Sequence, residues 1–301
     1  MDYLEKGTIV DERFEVHHSA GVGGMGRVYR ARDLTTGALV ALKVLIAQTA
    51  DNTGRFRREA RVLSKLGHPG IVRYIASGLV DPEHPYLVME WVGGVSLGDK
   101  LAQRVLGVSA SLLLLRRLSE ALGAAHAQGI VHRDLKPSNI HLFDGDLSKP
   151  KILDFGLARA SETSQEITKS GVMLGTPAYM APEQARNAAD LDASADIFAL
   201  GCILYECLTG RRAFSGPNVV SVLCKVLLED PPPVRDVNPD VPEALSDLVA
   251  RMLAKESAHR PRDAQALREE LELRFKVDVI VFGCCGIGDA EARFHFVILA
   301  N

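Results

Sequence analysis

The chain has 301 residues, of which 47% are hydrophobic and 24% are charged, an ordinary composition for a soluble protein. That length is enough for two lobes with substantial cores. The net charge of -3 gives no electrostatic argument for binding to nucleic acid or to an anionic membrane. The five cysteines form no C-x-x-C pair and no histidine stands at zinc-finger spacing, so neither a disulfide framework nor a structural zinc is indicated.

The N-terminus lacks the basic region and the apolar core of a signal peptide. The longest apolar runs, at 112–115 and 277–282, are far shorter than the roughly 20 residues of a membrane helix. We therefore expect a cytoplasmic protein with no membrane segment in this chain.

Residues 13–44 read as a series of strands. Within them, Gly21 to Val28 fits the pattern G-x-G-x-x-G-x-V. Glycines let a backbone approach phosphates and donate N–H groups to them. A Rossmann interpretation is disfavoured because the sequence after this motif continues as a strand instead of opening a helix. A simple glycine-rich hairpin is an equally good interpretation of this motif taken alone.

The apolar strand Val40 to Val44 carries one lysine, Lys43, whose charge needs a partner there. Apolar residues at helical spacing predict a helix over 53–66. Glu59 is the only acid in that helix. It could neutralise the neighbouring arginines, but we favour an ion pair between Lys43 and Glu59.

The stretch His132 to Asn139 reads H-R-D-L-K-P-S-N, and Asp154-Phe155-Gly156 follows a short apolar strand. Asp134 can accept a proton from an attacking hydroxyl, and Lys136 can lie against a transferring phosphoryl group. Asn139 and Asp154 offer oxygen ligands to a divalent metal.

Further along, residues 175–183 read G-T-P-A-Y-M-A-P-E. The segment 194–206 predicts a buried helix with Ser194 as its N-cap. Asp196 stands inside this apolar run and must be hydrogen-bonded. More helices are predicted at 97–104, 111–128, 242–254 and 263–275.

Together and in this order, the motifs resemble those of the eukaryotic-type Ser/Thr protein kinases, and most closely the bacterial members. The resemblance implies an α+β, two-lobed protein kinase fold, with a small antiparallel β lobe carrying one helix and a larger, mainly α-helical lobe. We expect a leader at 1–12, the N-lobe at 13–91, the C-lobe at 92–275 and a tail of unknown role at 276–301.

The resemblance also implies the reaction, which is transfer of the γ-phosphoryl group of Mg²⁺-bound ATP to Ser or Thr hydroxyls of proteins. Asp134 would be the base, Lys136 would stabilise the transferring group, and Lys43, positioned by Glu59, would hold the α- and β-phosphates. Asn139 and Asp154 would hold Mg²⁺. The nucleotide contacts that it implies are Gly21, Val22, Gly23, Gly24, Met25, Gly26, Arg27, Val28, Ala41, Lys43, Met89, Glu90, Val92 and His141.

One of these positions departs from the family, whose members usually have an apolar side chain beneath the adenine where this chain has His141. The histidine either stacks on the base or has no special role, and the sequence does not decide between them.

Four residues receive structural roles from the resemblance. Thr176 would bridge Asp134 and Lys136, and Asp196 would hold the backbone of the catalytic loop, the stretch 132–139. Glu183 would pair with Arg260. The alternatives are that Asp196 caps its own helix and that Glu183 and Arg260 are ordinary surface charges.

A switch is also expected. A phosphate on the hydroxyl-rich segment 157–181 could bridge to Arg133, next to the base, and order the segment. Thr168 and Ser170 are the preferred sites, and autophosphorylation within a transient homodimer is the expected route.

Two other functional classes are disfavoured. A pseudokinase scaffold would have lost Lys43, Asp134 or Asp154, and a small-molecule kinase would lack the segment 175–183. Two interpretations of the tail stay open: a two-stranded appendage pairing 277–282 with 294–299, which we prefer, or a fragment of a further domain.

Overall fold

The computed structural model describes residues 4–23, 26–45, 60, 63–81, 84–155, 177–188, 190–276 and 297–298. The strands are β1 (Ile9–Val10), β2 (Phe14–Gly23), β3 (Gly26–Asp33), β4 (Leu39–Leu45), β5 (Tyr74–Asp81), β6 (His84–Glu90), β7 (Val95–Ser96), β8 (Ile140–Leu142), β9 (Pro150–Ile152), β10 (Phe275–Lys276) and β11 (Val297–Ile298). The helices are α1 (Leu97–Gln103), α2 (Val108–His126), α3 (Pro182–Ala185), α4 (Ser194–Thr209), α5 (Val219–Leu228), α6 (Val234–Val237), α7 (Glu243–Met252) and α8 (Ala264–Arg274).

The small lobe is built on an antiparallel sheet with the strand order β1-β2-β3-β4-β6-β5. Alternation along β4 buries Val40, Leu42 and Val44 on one face. They join Phe14 and Tyr29 in a core of their own. Because successive strand side chains point to opposite faces, Lys43 lies on the other face of the same strand.

The small lobe begins before the boundary predicted at residue 13. Ile9 and Val10 pair with β2, and Leu4 packs into the core of the lobe. The backbone N–H of Leu4 donates a hydrogen bond to the Tyr29 hydroxyl at 3.2 Å. Part of the predicted leader is therefore sheet and core.

The large lobe is organised around α4, which is buried along almost its whole length. A helix that is apolar on every side belongs in a core, and α4 packs against both α2 and α7. The prediction that Ser194 is its N-cap is wrong. The N-cap is Ala193, and Ser194 is the first residue of the helix, with its N–H donated to Asp192 Oδ1 at 2.8 Å.

A second small sheet, β7-β8-β9, takes its first strand from before the catalytic loop and its other two strands from after it. Its strand β9 also bridges to Ile71, upstream of β5. Because β8 begins directly after Asn139 and pairs with both β7 and β9, this sheet fixes the end of the catalytic loop. Within the ranges described above, no helix is long and apolar enough to cross a membrane.

The chain leaves the large lobe at Phe275, which is buried in the large-lobe core. Phe275 and Lys276 pair with Ile298 and Val297 in a two-stranded antiparallel ladder. The observed first strand starts two residues before the segment 277–282 that we expected to pair, and that segment lies outside the described residues.

Candidate active site

The catalytic loop brings a carboxylate, a cation and an amide together. Pro137 starts the 3-10 turn Pro137–Asn139, for which its fixed φ angle is suited. Lys136 Nζ lies 2.8 Å from Asp134 Oδ2. Asn139 Nδ2 donates to the Asp134 carbonyl at 2.8 Å and to its Oδ2 at 3.3 Å. With the amide nitrogen committed to Asp134, the amide oxygen of Asn139 is the atom that suits a cation.

A second pair forms where the small lobe meets the large one. Lys43 Nζ lies 2.8 Å from Asp154 Oδ1, and the lysine side chain is only 12% exposed. The carbonyl of Asn139, at the end of the catalytic loop, accepts the N–H of Leu153 at 2.8 Å. Asp154 is the next residue, so this hydrogen bond holds it beside the catalytic loop. The chain thereby brings the two predicted metal ligands into adjacent, hydrogen-bonded segments.

The backbone of the catalytic loop is held by the buried carboxylate of Asp196. Its oxygens accept the N–H of His132 at 2.7 Å and that of Arg133 at 2.9 Å. Arg133 adopts a left-handed φ of 64°, a conformation that such fixed contacts can support. Burial acts to raise the pKa of Asp196, but hydrogen bonds from His126 and the His132 backbone keep it below its usual value.

His126 is a positioning residue that sequence reasoning missed. Its Nδ1 accepts the N–H of Ala264 at 3.2 Å, so Nε2 carries the proton and donates to Asp196 Oδ2 at 2.9 Å. The three groups come from α2, α8 and α4. Because 70 residues separate His126 from Asp196, no local pattern could have predicted their contact.

His132 joins the catalytic loop to the Asp154 segment. Its fully buried ring donates from Nε2 to the Leu153 carbonyl at 2.8 Å, while Nδ1 accepts the Asp134 N–H at 3.2 Å. The ring also lies 4.7 Å, centroid to centroid, from the ring of Phe155. These contacts tie the Leu153–Phe155 segment to the loop that carries the base.

The strand β6 ends at the junction of the lobes. Met89 is buried and stands opposite Ala41 of β4. The Glu90 carboxylate accepts the Arg73 N–H at 3.0 Å and pairs with the ammonium group of Lys151 in β9. The role of Lys151 was not predicted. Its ion pair with Glu90 ties the end of β6 to the β7-β8-β9 sheet of the large lobe.

The glycine-rich loop joins β2 to β3. Gly21, Val22 and Gly23 close the first strand, and Gly26, Arg27 and Val28 open the second. Gly26 has φ 147°, and a Cβ there would lie 2.1 Å from the Val44 carbonyl oxygen, so only glycine fits.

His141 occupies the middle of β8 between Ile140 and Leu142, which are fully buried on the opposite face. Burial lowers the pKa of its imidazole below the usual value. Its Nδ1 is buried and makes no hydrogen bond with any described residue. The position and burial of His141 favour neither stacking on the base nor the absence of a special role.

The segment after 176 is anchored to the large lobe. Arg260, whose side chain is 0% exposed, donates to both carboxylate oxygens of Glu183, at 2.7 and 2.9 Å. Gln184 Nε2 donates to the Arg133 carbonyl at 2.7 Å, a link to the catalytic loop that was not predicted.

The buried Tyr179 makes a further contact with the large lobe. Its hydroxyl donates to the Glu206 carboxylate in α4 at 2.5 Å. Burial raises the pKa of this tyrosine.

Several predicted residues lie outside the described part of the chain, so their contacts with the site stay predictions. They are Gly24, Met25, Glu59, Gly156, Thr168, Ser170 and Thr176.

Comparisons with known proteins agree with this architecture. The family model for the protein kinase domain matches residues 14–271. A DNA damage-responsive serine/threonine-protein kinase, RqkA of Deinococcus radiodurans, is 40% identical over 269 residues, which are 88% of this chain and 40% of that protein. Serine/threonine-protein kinase PknB of Mycobacterium tuberculosis is 36% identical over 87% of this chain and 43% of its own length.

Two solved structures share the fold. The Mycobacterium tuberculosis PknI kinase domain is 26% identical with a TM-score of 0.70, covering 90% of this chain and 98% of that one. Rad53 1-466 in complex with AMP-PNP is 32% identical with a TM-score of 0.70, covering 85% of this chain and 64% of that one.

The chain spans about two fifths of the length of RqkA and PknB. The match nevertheless covers nearly all of the two-lobed fold described above. The chain belongs to the protein kinase domain family, and its curated relatives are bacterial serine/threonine-protein kinases.

Proposed function

We propose that this chain transfers the γ-phosphoryl group of ATP to Ser or Thr hydroxyls of proteins. The observation that carries the proposal is the formation of two ion pairs, Asp134 with Lys136 and Lys43 with Asp154. One pair supplies a base and a cation at the reacting hydroxyl, and the other supplies a cation and a metal ligand for the phosphates.

Asp134 orients the attacking hydroxyl and accepts its proton. Its carboxylate is held by Lys136 and Asn139, so it meets the substrate in a fixed position. Lys136, 2.8 Å from that carboxylate, would compensate negative charge on the transferring phosphoryl group. Positioning and charge stabilisation account for most of the catalysis in this class of reaction.

Asn139 and Asp154 would hold Mg²⁺. An amide oxygen and a carboxylate are the hard oxygen ligands that this ion prefers, and it commonly keeps several waters and phosphate oxygens as its other ligands. When bound, Mg²⁺ neutralises charge that develops on the phosphate oxygens. Lys43 would bind the α- and β-phosphates beside Asp154, aided by Glu59.

The nucleotide would lie between the lobes. The glycine-rich loop has room only for glycine at Gly26 and would cover the phosphates, while the backbone at Glu90 and Val92 would bind the adenine next to Met89. Rad53 1-466, a protein with the same fold, was solved in complex with AMP-PNP, which supports binding of an ATP-like nucleotide by this fold.

The acceptor would be a protein and not a small alcohol. The chain from Pro177 to Ala185 forms a surface anchored through Glu183 to Arg260 and through Gln184 to the catalytic loop. Such an anchored surface suits an extended peptide. Autophosphorylation between two copies and a cytoplasmic location, where ATP is supplied, complete the proposal.

A phosphotransfer assay with labelled ATP and Mg²⁺ tests this function against its alternatives. We expect label in a generic basic protein, at Ser and Thr residues, and none in small alcohols such as choline. Label in the alcohols alone would instead show a small-molecule kinase. Nucleotide binding with no transfer to any acceptor would show a pseudokinase.

A further inference from the structure

Gln184 uses both ends of its side-chain amide. Its Oε1 accepts the N–H of Ala181 at 3.0 Å, and its Nε2 donates to the carbonyl of Arg133 at 2.7 Å. The first partner lies directly before α3, whereas the second lies 51 residues earlier in the catalytic loop. Because an N–H needs an acceptor and a carbonyl needs a donor, these partners fix which way the amide points. The side chain therefore joins the segment 177–185 to the catalytic loop.

The carbonyl that Gln184 holds belongs to the peptide unit directly before the base. This planar unit consists of the Arg133 carbonyl and the Asp134 N–H, and the N–H donates to His132 Nδ1 at 3.2 Å. Both polar atoms of the unit are thus hydrogen-bonded to side chains. Since the unit is rigid, its orientation determines the direction in which the side chain of Asp134 leaves the backbone. Gln184 therefore helps to aim the base.

The residue before the base has an unusual backbone conformation. Arg133 has a φ angle of 64°, which is uncommon for a residue other than glycine and persists where the surroundings hold it. Its N–H donates to Asp196 Oδ1 at 2.9 Å, and its carbonyl accepts the hydrogen bond from Gln184. Arg133 is therefore held by the core of the large lobe at one end and by the segment 177–185 at the other.

The segment itself provides a firm base for Gln184. The preceding residue, Glu183, accepts two hydrogen bonds from Arg260 at 2.7 and 2.9 Å. Ala181, whose N–H the amide accepts, is completely buried. A shift of this backbone would move the amide of Gln184 and, through it, the Arg133 carbonyl.

We propose that Gln184 is a positioning residue for phosphoryl transfer to protein hydroxyls. It orients the peptide unit before Asp134, so that the base faces a hydroxyl of an acceptor bound on the segment 177–185. This inference rests on the proposed function, in which Asp134 is the base and the segment receives the protein acceptor. Neither hydrogen bond of Gln184 goes to a residue assigned to the nucleotide or the metal, so its loss should affect turnover and not ATP binding.

Amide hydrogen exchange tests the coupling without ATP or an acceptor. Gln184→Met keeps the length of the side chain and removes both hydrogen bonds. We expect the amides of 132–139 to exchange several-fold faster in this variant, because the loop loses a contact that opposes local opening. Gln103→Met, the same change at an exposed position at the end of α1, should exchange as wild type does. Mass spectrometry of peptides covering 132–139 measures these rates.

A double-mutant cycle tests whether Gln184 acts through the base. Gln184→Met should lower kcat for transfer to a basic protein about tenfold, while the dissociation constant of ATP changes less than about twofold. In the Asp134→Asn background the same substitution should change the rate of transfer less than about twofold, because the carboxylate that Gln184 positions is absent. Gln103→Met should retain wild-type turnover.

Three results would overturn the proposal. They are unchanged exchange over 132–139, an equal loss of turnover in both backgrounds, and a loss of ATP affinity that matches the loss of turnover. The last two would show that Gln184 only supports the fold. Exchange is measured on the free protein, so a wild-type chain that transfers no phosphate would refute the proposed function, whereas unchanged exchange refutes the role of Gln184.

Discussion

Arg260 and Glu183 are joined by two hydrogen bonds, from Nη1 at 2.7 Å and from Nη2 at 2.9 Å, although they lie 77 residues apart. The arginine reaches the pair from the loop before α8, and the glutamate belongs to α3. The guanidinium is completely shielded from water and also donates to the carbonyls of Ser194, Ala254 and Lys255. This pair fixes the segment 177–185 to the core of the large lobe.

Glu183→Gln should destabilise the protein by about 3–5 kcal/mol, because it leaves a buried guanidinium without a counter-charge. The matched control is Glu243→Gln in the exposed pair Arg235–Glu243, where the glutamate side chain is 78% exposed. That change should cost less than about 1 kcal/mol. Urea unfolding of both variants measures the difference, and equal effects would show that the buried pair does not anchor the fold.

Lowering the pH should reduce the stability of the small lobe, because it protonates the carboxylate of Asp33. Two hydrogen bonds from Arg13 and others from Thr35 hold the pKa of this buried carboxyl well below its usual value. Because the folded-state pKa lies below the unfolded one, the stabilisation is complete above about pH 4 and is lost as the pH falls through the folded-state pKa.

Urea unfolding between about pH 7 and pH 2 checks this behaviour. We expect Asp33→Asn to be less stable than wild type at neutral pH and to lose less stability on acidification. Asp240→Asn, which alters an exposed carboxyl, should follow the wild-type curve. An Asp33→Asn curve parallel to wild type would show that the ion pair with Arg13 does not govern acid sensitivity.

The sequence predicted the fold class and the order of its motifs because those features are local. A glycine pattern, a lysine in an apolar strand and a charged loop can each be read within about ten residues. Resemblance to the family added the long-range partners Asp196 and Arg260. It could not supply His126 or Lys151, whose contacts join segments 70 and 61 residues apart.

Local reading also failed where several residues compete for one role. Ser194 has a good N-cap side chain, but Asp192 stands two residues earlier and its carboxylate accepts both the N–H and the hydroxyl of Ser194. The start of the small lobe was missed because β1 is only two residues long and has no periodicity to detect.

Truncation after Phe275 should leave a folded and active kinase. The cut keeps the buried Phe275 ring and removes Lys276 together with its partner Val297 in the terminal ladder. All predicted catalytic residues lie upstream. Soluble expression, a cooperative melt and phosphotransfer of the 1–275 protein check this expectation, whereas an insoluble or inactive product would show that the tail belongs to the domain.

Phosphorylation at Thr168 or Ser170 should raise activity, because a phosphate adds about -1.5 to -2 charges that can pair with arginines near the base. Incubation with Mg²⁺ and ATP followed by mass spectrometry should detect these sites, with a rate that rises with protein concentration. The Thr168→Ala/Ser170→Ala variant should be less active. If it equals wild type and no phosphate appears within 157–181, activation does not depend on this segment.

The most direct test of the account is phosphotransfer by Asp134→Asn. The substitution keeps the shape of the side chain and removes the base, so transfer to a protein hydroxyl should slow by about 10²–10⁴ while ATP binding stays nearly intact. Asp144→Asn, at an exposed carboxylate in the turn after β8, is the matched control and should retain activity. Wild-type turnover by Asp134→Asn would contradict the assignment of this loop as the catalytic centre.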